Sequence, residues 1–206
     1  MAIITPLIEE VIIRECSKEG FDYNKGKRFF HRKGRDDSFR ELLFFDFCIY
    51  PHYRSVIVKP TVQNIVVQNM FEQIRGKKCR YPLWVVSYNL GYMCPNNNYK
   101  VWDFYEDTNI DEVCDTIFED IRQYAYPFFD RMQNVDYLIN AYEKREKNFF
   151  MDQRFIVLPL LYLLVNDKEK GISFLEQSQN DRIISEEFRR EYLEQYRNYN
   201  PNIIKP

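Results

Sequence analysis

The chain has 206 residues, of which 45% are hydrophobic and 29% charged, with a formal net charge of −2. That balance excludes a disordered chain, and it supplies no global drive toward nucleic acid or acidic lipid, so such a partner would need a local basic patch. The five cysteines (Cys16, Cys48, Cys79, Cys94 and Cys114) are odd in number, widely spaced and lack a C-x-x-C pair, which argues against a disulfide framework or a structural zinc site.

The length fits one domain, or one domain with a helical extension. The start, MAIITPLIEE, lacks the basic and long apolar regions of a signal peptide. The longest apolar run, at 155–165, is about half of the ~20 residues a membrane span requires. A cytoplasmic protein without membrane partners is the expectation. With 17 Phe, 16 Tyr and 2 Trp, aromatics supply both core and surface; a tyrosine can bury its ring while its hydroxyl stays wet.

Taken in order, Thr5 is placed to cap a first helix with Pro6 at its first position, and Leu7, Ile8, Val11, Ile12 and Cys16 give it an apolar face that Gly20 ends. Asn24-Lys25-Gly26 reads as a turn, and the polar turn at 34–37 makes 27–33 and 38–50 a hairpin. The segment 38–50 is too apolar for a strand with one wet face. In 55–67, Val56, Val58, Val62 and Val66 alternate with Lys59, Thr61 and Gln63, which predicts a strand with one solvated face and places Pro60 at an edge or bulge. A short helix at 68–78 ends at Gly76. Strands follow at 80–93 and 99–107, the latter with Tyr99, Val101, Asp103 and Tyr105 on one side and Lys100, Trp102 and Phe104 on the other. Short connections favour an antiparallel meander.

The best-patterned stretch is 108–132. Ile110, Val113, Cys114, Ile117, Ile121, Tyr124, Ala125, Phe128 and Met132 form one helical stripe. Asn109 and Glu112 fit a capping box, and Pro127 should kink or split the helix near Tyr124. Asn134 can cap a helix over 135–147. An apolar helix is expected at 153–165, with Pro159 kinking it or marking a later start, and Gly171 among the punctuation after it. Short helices over 171–180 and 184–200 complete the chain, the last capped by Ser185 with Ile184, Phe188, Tyr192 and Tyr196 in line; the tail NPNIIKP reads as loosely held. The fold expected is α+β: an antiparallel sheet of four or five strands packed by the long kinked helix (1–147), with a helical C-terminal extension packed on it (148–206).

Chemistry-bearing motifs are scarce. His31 and His52 sit in no H-x-x-x-H or H-E-x-x-H pattern. The six glycines form no dinucleotide or phosphate loop, and no G-x-S-x-G elbow is present. No cofactor or metal is expected, and catalysis would need residues far apart in the chain. The candidate binding surface is basic and aromatic: Lys27, Arg28, Phe30, His31, Arg32, Lys33 and Arg35, beside Lys25, Tyr23 and Phe29. Such interleaving can hold phosphates and stack bases. Its structural alternative is an edge hairpin whose charges discourage strand pairing.

A helix ending at Gly20-Phe21, the hairpin with Lys27, Arg28, Phe29, Phe30, Arg32 and Lys33, a strand meander, a Trp102 strand and a helix running to Tyr126-Pro127-Phe128-Phe129 together resemble an uncharacterised bacterial family across residues 5–145. The resemblance implies a protein of the immunity type, which neutralises a toxin by binding it; it carries over no catalytic residue. Recognition of another protein is therefore the functional expectation, with nucleic-acid binding through the 25–35 hairpin as the alternative. The uncovered sheet face and the hairpin are where a binding site would lie.

Overall fold

The computed structural model describes residues 4–146, 151–178 and 185–200, without the side chains of 151 and 152. Six strands form one antiparallel sheet: β1 (Asp22–Asn24), β2 (Phe29–Lys33), β3 (Phe39–Ile49), β4 (Arg54–Asn64), β5 (Trp84–Ser87) and β6 (Trp102–Phe104). The order is β1-β2-β3-β4-β5, and β6 also pairs with β4. Eight α-helices accompany the sheet among the described residues, and the chain is α+β, as its periodicities predict. It divides into two units, 1–62 with 87–133 and 63–86 with 134–206.

In the first unit, Asn24 closes the β1–β2 turn. Its carbonyl accepts from Arg28 N (2.8 Å) and its side chain from Lys27 N (3.1 Å). The left-handed residue is Arg28 (φ 56°), not the nearby Gly26. Gly34 N donates to Phe39 O (3.0 Å) across the β2–β3 turn, fixing the register Phe30↔Leu43 and Arg32↔Glu41. Tyr50 N donates to Tyr53 O (3.1 Å) where β3 turns into β4.

β4 corrects one expectation. It has no solvated face: apart from Lys59, every residue in it is buried. The polar residues find partners inside the protein, Thr61 Oγ1 meeting Ser87 Oγ at 2.6 Å. Buried polar groups are tolerated when so bonded, and periodicity cannot distinguish a bonded hydroxyl from a wet one. Pro60 lies within this interior strand, not on an edge, and its carbonyl accepts from Tyr88 N (3.0 Å).

α1 (Ile4–Lys18) is broader at its start than the expected cap. Thr5 lies inside it and accepts from Arg54 Nε (3.2 Å). Its buried face is Ile4, Ile8, Ile12 and Cys16, a strict four-residue step, while Leu7 is exposed and Val11 half-buried.

The 108–132 stretch folds as α3 (Ile110–Asp120), a π-helical turn (Ile121–Ala125) and α4 (Tyr126–Met132). Asn109 Oδ1 accepts from Glu112 N (3.4 Å). The split falls where Pro127 predicts it. Proline has no N–H, and the wider turn, closed by Tyr126 N to Ile121 O, lets the helix resume with Pro127 in its first turn. Cys114, Ile117, Phe118, Ile121, Ala125, Phe128, Phe129 and Met132 are buried. Phe118 stacks on Phe45 of β3 (6.3 Å) and Phe129 meets Phe21 (6.4 Å), so this helix pair covers one face of the sheet.

In the second unit, α2 (Ile65–Arg75) begins three residues before the expected helix, capped by Asn64 and ended by left-handed Gly76 (φ 63°). α5 (Val135–Glu143) is capped by Asn134. α6 (Met151–Leu164) runs through Pro159, which marks no later start. α7 (Lys168–Gln177) contains Gly171, which is therefore not punctuation: a Cβ there would run into the Tyr196 ring. α8 (Glu186–Asn198) carries the Ser185 cap and buries Tyr192 and Tyr196, whose hydroxyl donates to Pro159 O (2.8 Å). The expectations for Ile184 and the tail from 201 onward fall outside the described residues.

Candidate functional site

Strand alternation divides the basic hairpin. β2 sends Phe30 and Arg32 toward the helix-covered face of the sheet. Phe30 is buried, stacked on Tyr23 (4.7 Å) and edge-on to Phe45 (5.5 Å), so it offers no platform to a base.

Arg32 is held on every side. Its Nε donates to Glu41 Oε2 (2.5 Å), its Nη1 to the Glu19 carbonyl (3.0 Å), and its guanidinium lies over Phe21 (4.5 Å) and Tyr126 (4.4 Å). Gln133 Nε2 donates to the other Glu41 oxygen (2.8 Å), and its own Oε1 accepts from Arg35 N. The Glu19 carboxylate accepts from Arg122 Nε (2.7 Å) and Tyr126 Oη (2.5 Å). Burial works to raise Glu19, but those two bonds outweigh it and hold the carboxyl below its usual range. This network ties α1, β2, β3 and the split helix together, and its role is structural.

Of the remaining predicted residues, Lys27, Arg28, Lys33 and Arg35 are exposed and His31 is half-buried beside Phe29 (5.9 Å). Lys33 pairs with Asp37 (2.5 Å). Lys27 with Arg28 and Lys33 with Arg35 sit at opposite ends of a five-residue strand, about 17 Å of chain. The hairpin therefore presents two small cationic ends, not one aromatic-basic surface.

The opposite sheet face shows a different concentration. Tyr50 and Tyr53 flank the β3–β4 turn and stack at 4.5 Å. The β4–β6 register, Arg54↔Phe104 and Ser55↔Asp103, continues to set Tyr53 against Tyr105, and the two rings stack at 5.3 Å. Tyr50 is 42% exposed, Tyr105 48% and the adjoining Ile49 70%. Tyr99 is exposed as well and meets Tyr92 at 6.3 Å. Partial burial raises the Tyr53 phenol, with Tyr50, Asp103 and Tyr105 pushing the same way, so the central ring stays neutral at physiological pH. Lys59 on this face is paired with Asp46. Asp103 is exposed and accepts from the Ser55 hydroxyl.

Sequence reasoning missed this grouping although its signal was present. Tyr50-Pro51-His52-Tyr53 spans a turn that brings two tyrosines side by side, and the outward parity of 99–105 includes two more. Only the pairing of β6 with β4 places them together.

Among the described residues, no three metal-ligating side chains converge, and no helix is long and apolar enough to cross a membrane. A concavity of about 400 Å³ at the end of α2, lined by Asn69, Glu72, Gln73, Gly76, Lys77 and Lys78, contains no histidine and no nucleophile. Neither His31 nor His52 lies in it. No family model matches the chain, and no curated protein or solved structure matches it significantly.

Proposed function

We propose that this chain is a non-catalytic protein-recognition module whose binding surface is the tyrosine-bearing face of its sheet. The observation that carries the reading is the exposed Tyr50–Tyr53–Tyr105 stack. Tyrosine offers large amphipathic area with few rotatable bonds, which is why it is enriched at interfaces. Rings already stacked against one another have less freedom to lose on binding than isolated side chains, whose immobilisation costs about 0.5–1.5 kcal/mol each. A contiguous exposed aromatic patch of this kind marks an interaction site more often than a solvated surface.

A toxin-neutralising role of the immunity type is the specific form of this proposal, and it rests on the sequence resemblance over residues 5–145. Five free thiols suit a reducing compartment for such a protein. The test compares the wild-type chain with a Tyr50→Ser, Tyr105→Ser variant of unchanged melting temperature, each immobilised in extract from the native host. The expected result is one stoichiometric protein partner retained by the wild type and lost from the variant. Equal retention by both overturns the reading. Salt-sensitive retention of single-stranded oligonucleotides, abolished by Arg28→Ala with Lys33→Ala, would transfer the function to the hairpin.

A further inference from the structure

We propose that the partner docks a basic, arginine-bearing segment on the Tyr50–Tyr53–Tyr105 stack; this deepens the protein-recognition reading and rests on it. Charge complementarity selects this occupant. Around the stack lie Asp103, Glu106 and Asp107, all exposed, and Asp46 with Lys59; Lys33 and its cross-strand partner Arg40 share the outward parity but sit at the end of β3 far from Tyr50. Lys59 is consumed by Asp46. Neighbouring cations are turned away: Arg54 is buried and bonded to Thr5 and to the Tyr50 and Tyr53 carbonyls, and Lys100 lies over the buried Trp102 ring, paired with Asp120. This end of the face is therefore aromatic and acidic.

The geometry matches a guanidinium. A planar cation is attracted to the face of a tyrosine ring within about 6 Å of its centroid, and arginine adds a fork of donors suited to a carboxylate. Tyr50 and Tyr105, the two ends of the stack, are 42% and 48% exposed, and Asp103, two residues before Tyr105 and paired across from Ser55, supplies a carboxylate on the same side of the strand. Its hydrogen-bond partner, the Ser55 hydroxyl, is neutral, and no cation among the described residues forms an ion pair with it. The protein already uses this chemistry internally, where Arg32 lies between Phe21 and Tyr126 and bonds Glu41.

The test titrates the isotope-labelled full chain with an arginine-rich decapeptide and with an isosteric peptide carrying citrulline in place of arginine, followed by NMR at physiological salt. The expected result is a set of shift changes confined to Tyr50, Tyr53, Asp103 and Tyr105, absent with citrulline, with affinity falling about tenfold in Tyr105→Ser and again in Asp103→Asn. Shift changes confined to the acidic α8 residues Glu186, Glu187 and Glu194 would show unspecific charge attraction and overturn the proposal. So would a concentration-dependent dimer lost in Tyr105→Ser, which would make a second copy the occupant. A captured protein partner whose binding is indifferent to its arginines overturns this inference alone and leaves the recognition reading standing.

Discussion

Replacing Gly171 by alanine separates two opposed effects in the second unit. Gly171 lies inside α7, where alanine is intrinsically better by about 1 kcal/mol. Against that, the new Cβ would stand 2.7 Å from Tyr196 Cζ and closer still to its hydroxyl. Tyr196 is fully buried, and its hydroxyl donates to Pro159 O at 2.8 Å, so the ring cannot withdraw without giving up that bond. Overpacking of this kind costs about 1–3 kcal/mol, and the strained hydrogen bond adds about 1 kcal/mol. Gly171→Ala should therefore destabilise by about 2 kcal/mol net, lowering the melting temperature by roughly 4–8 °C. In a Tyr196→Phe background the closest contact is gone, and the cost of the alanine should fall below about 1 kcal/mol. Urea denaturation followed by far-ultraviolet circular dichroism measures all four corners of the cycle. An alanine variant as stable as the wild type, or one whose cost is unchanged by Tyr196→Phe, refutes the packing argument.

The Arg32 network predicts a contrast within one strand: Arg32→Ala leaves Glu41 buried without its cation and should cost about 3 kcal/mol, while Lys33→Ala, whose pair is exposed, should leave the denaturation midpoint essentially unchanged. Equal costs on chemical denaturation contradict the network. Burial pushes the Cys114 thiol up to about 12 and the Cys16 thiol higher, so a thiol reagent at pH 8 should label Cys48, Cys79 and Cys94 in the native protein and Cys16 and Cys114 only after denaturation; five labels at one rate contradict this. Hydrogen bonds hold two carboxyls below their ordinary range, Glu15 through Lys18 and Glu143 through Lys170 and then Tyr162. The stability they add is present above the ordinary value of about 4.3 and is lost as the pH falls through the lower folded-state values. The urea midpoint should accordingly drop between pH 5 and pH 2, and a rising midpoint runs against the sign.

The elements that were legible in sequence are those whose own residues decide them. The 108–132 stripe, its Asn109 cap and its interruption before Pro127 depend on local spacing and a missing amide. The Asn24 and Gly34–Asp37 turns depend on side chains that bond their own backbone. What was illegible depends on partners far along the chain. β4 reads as half-wet because Thr61 and Gln63 are polar, yet Thr61 meets Ser87, 26 residues away. Gly171 reads as a breaker because its packing partner, Tyr196, lies 25 positions on. No local pattern puts residues 63–86 in one unit with the C-terminal helices. The geometry of the basic hairpin was illegible for a related reason: charge and aromaticity can be counted in sequence, but only the β2–β3 register shows that Phe30 and Arg32 face inward while the cations separate to the two ends. The tyrosine face was hidden because its members come from three strands.

The claim that this face is the binding surface is tested most directly by site-specific photo-cross-linking in living cells. A benzoylphenylalanine replaces Tyr105 in one strain and, as a control, Tyr81 in another; Tyr81 is 52% exposed and lies in the other unit. The account predicts one discrete protein adduct from position 105 and none from position 81. The same adducts from both positions, or none from 105, would contradict it.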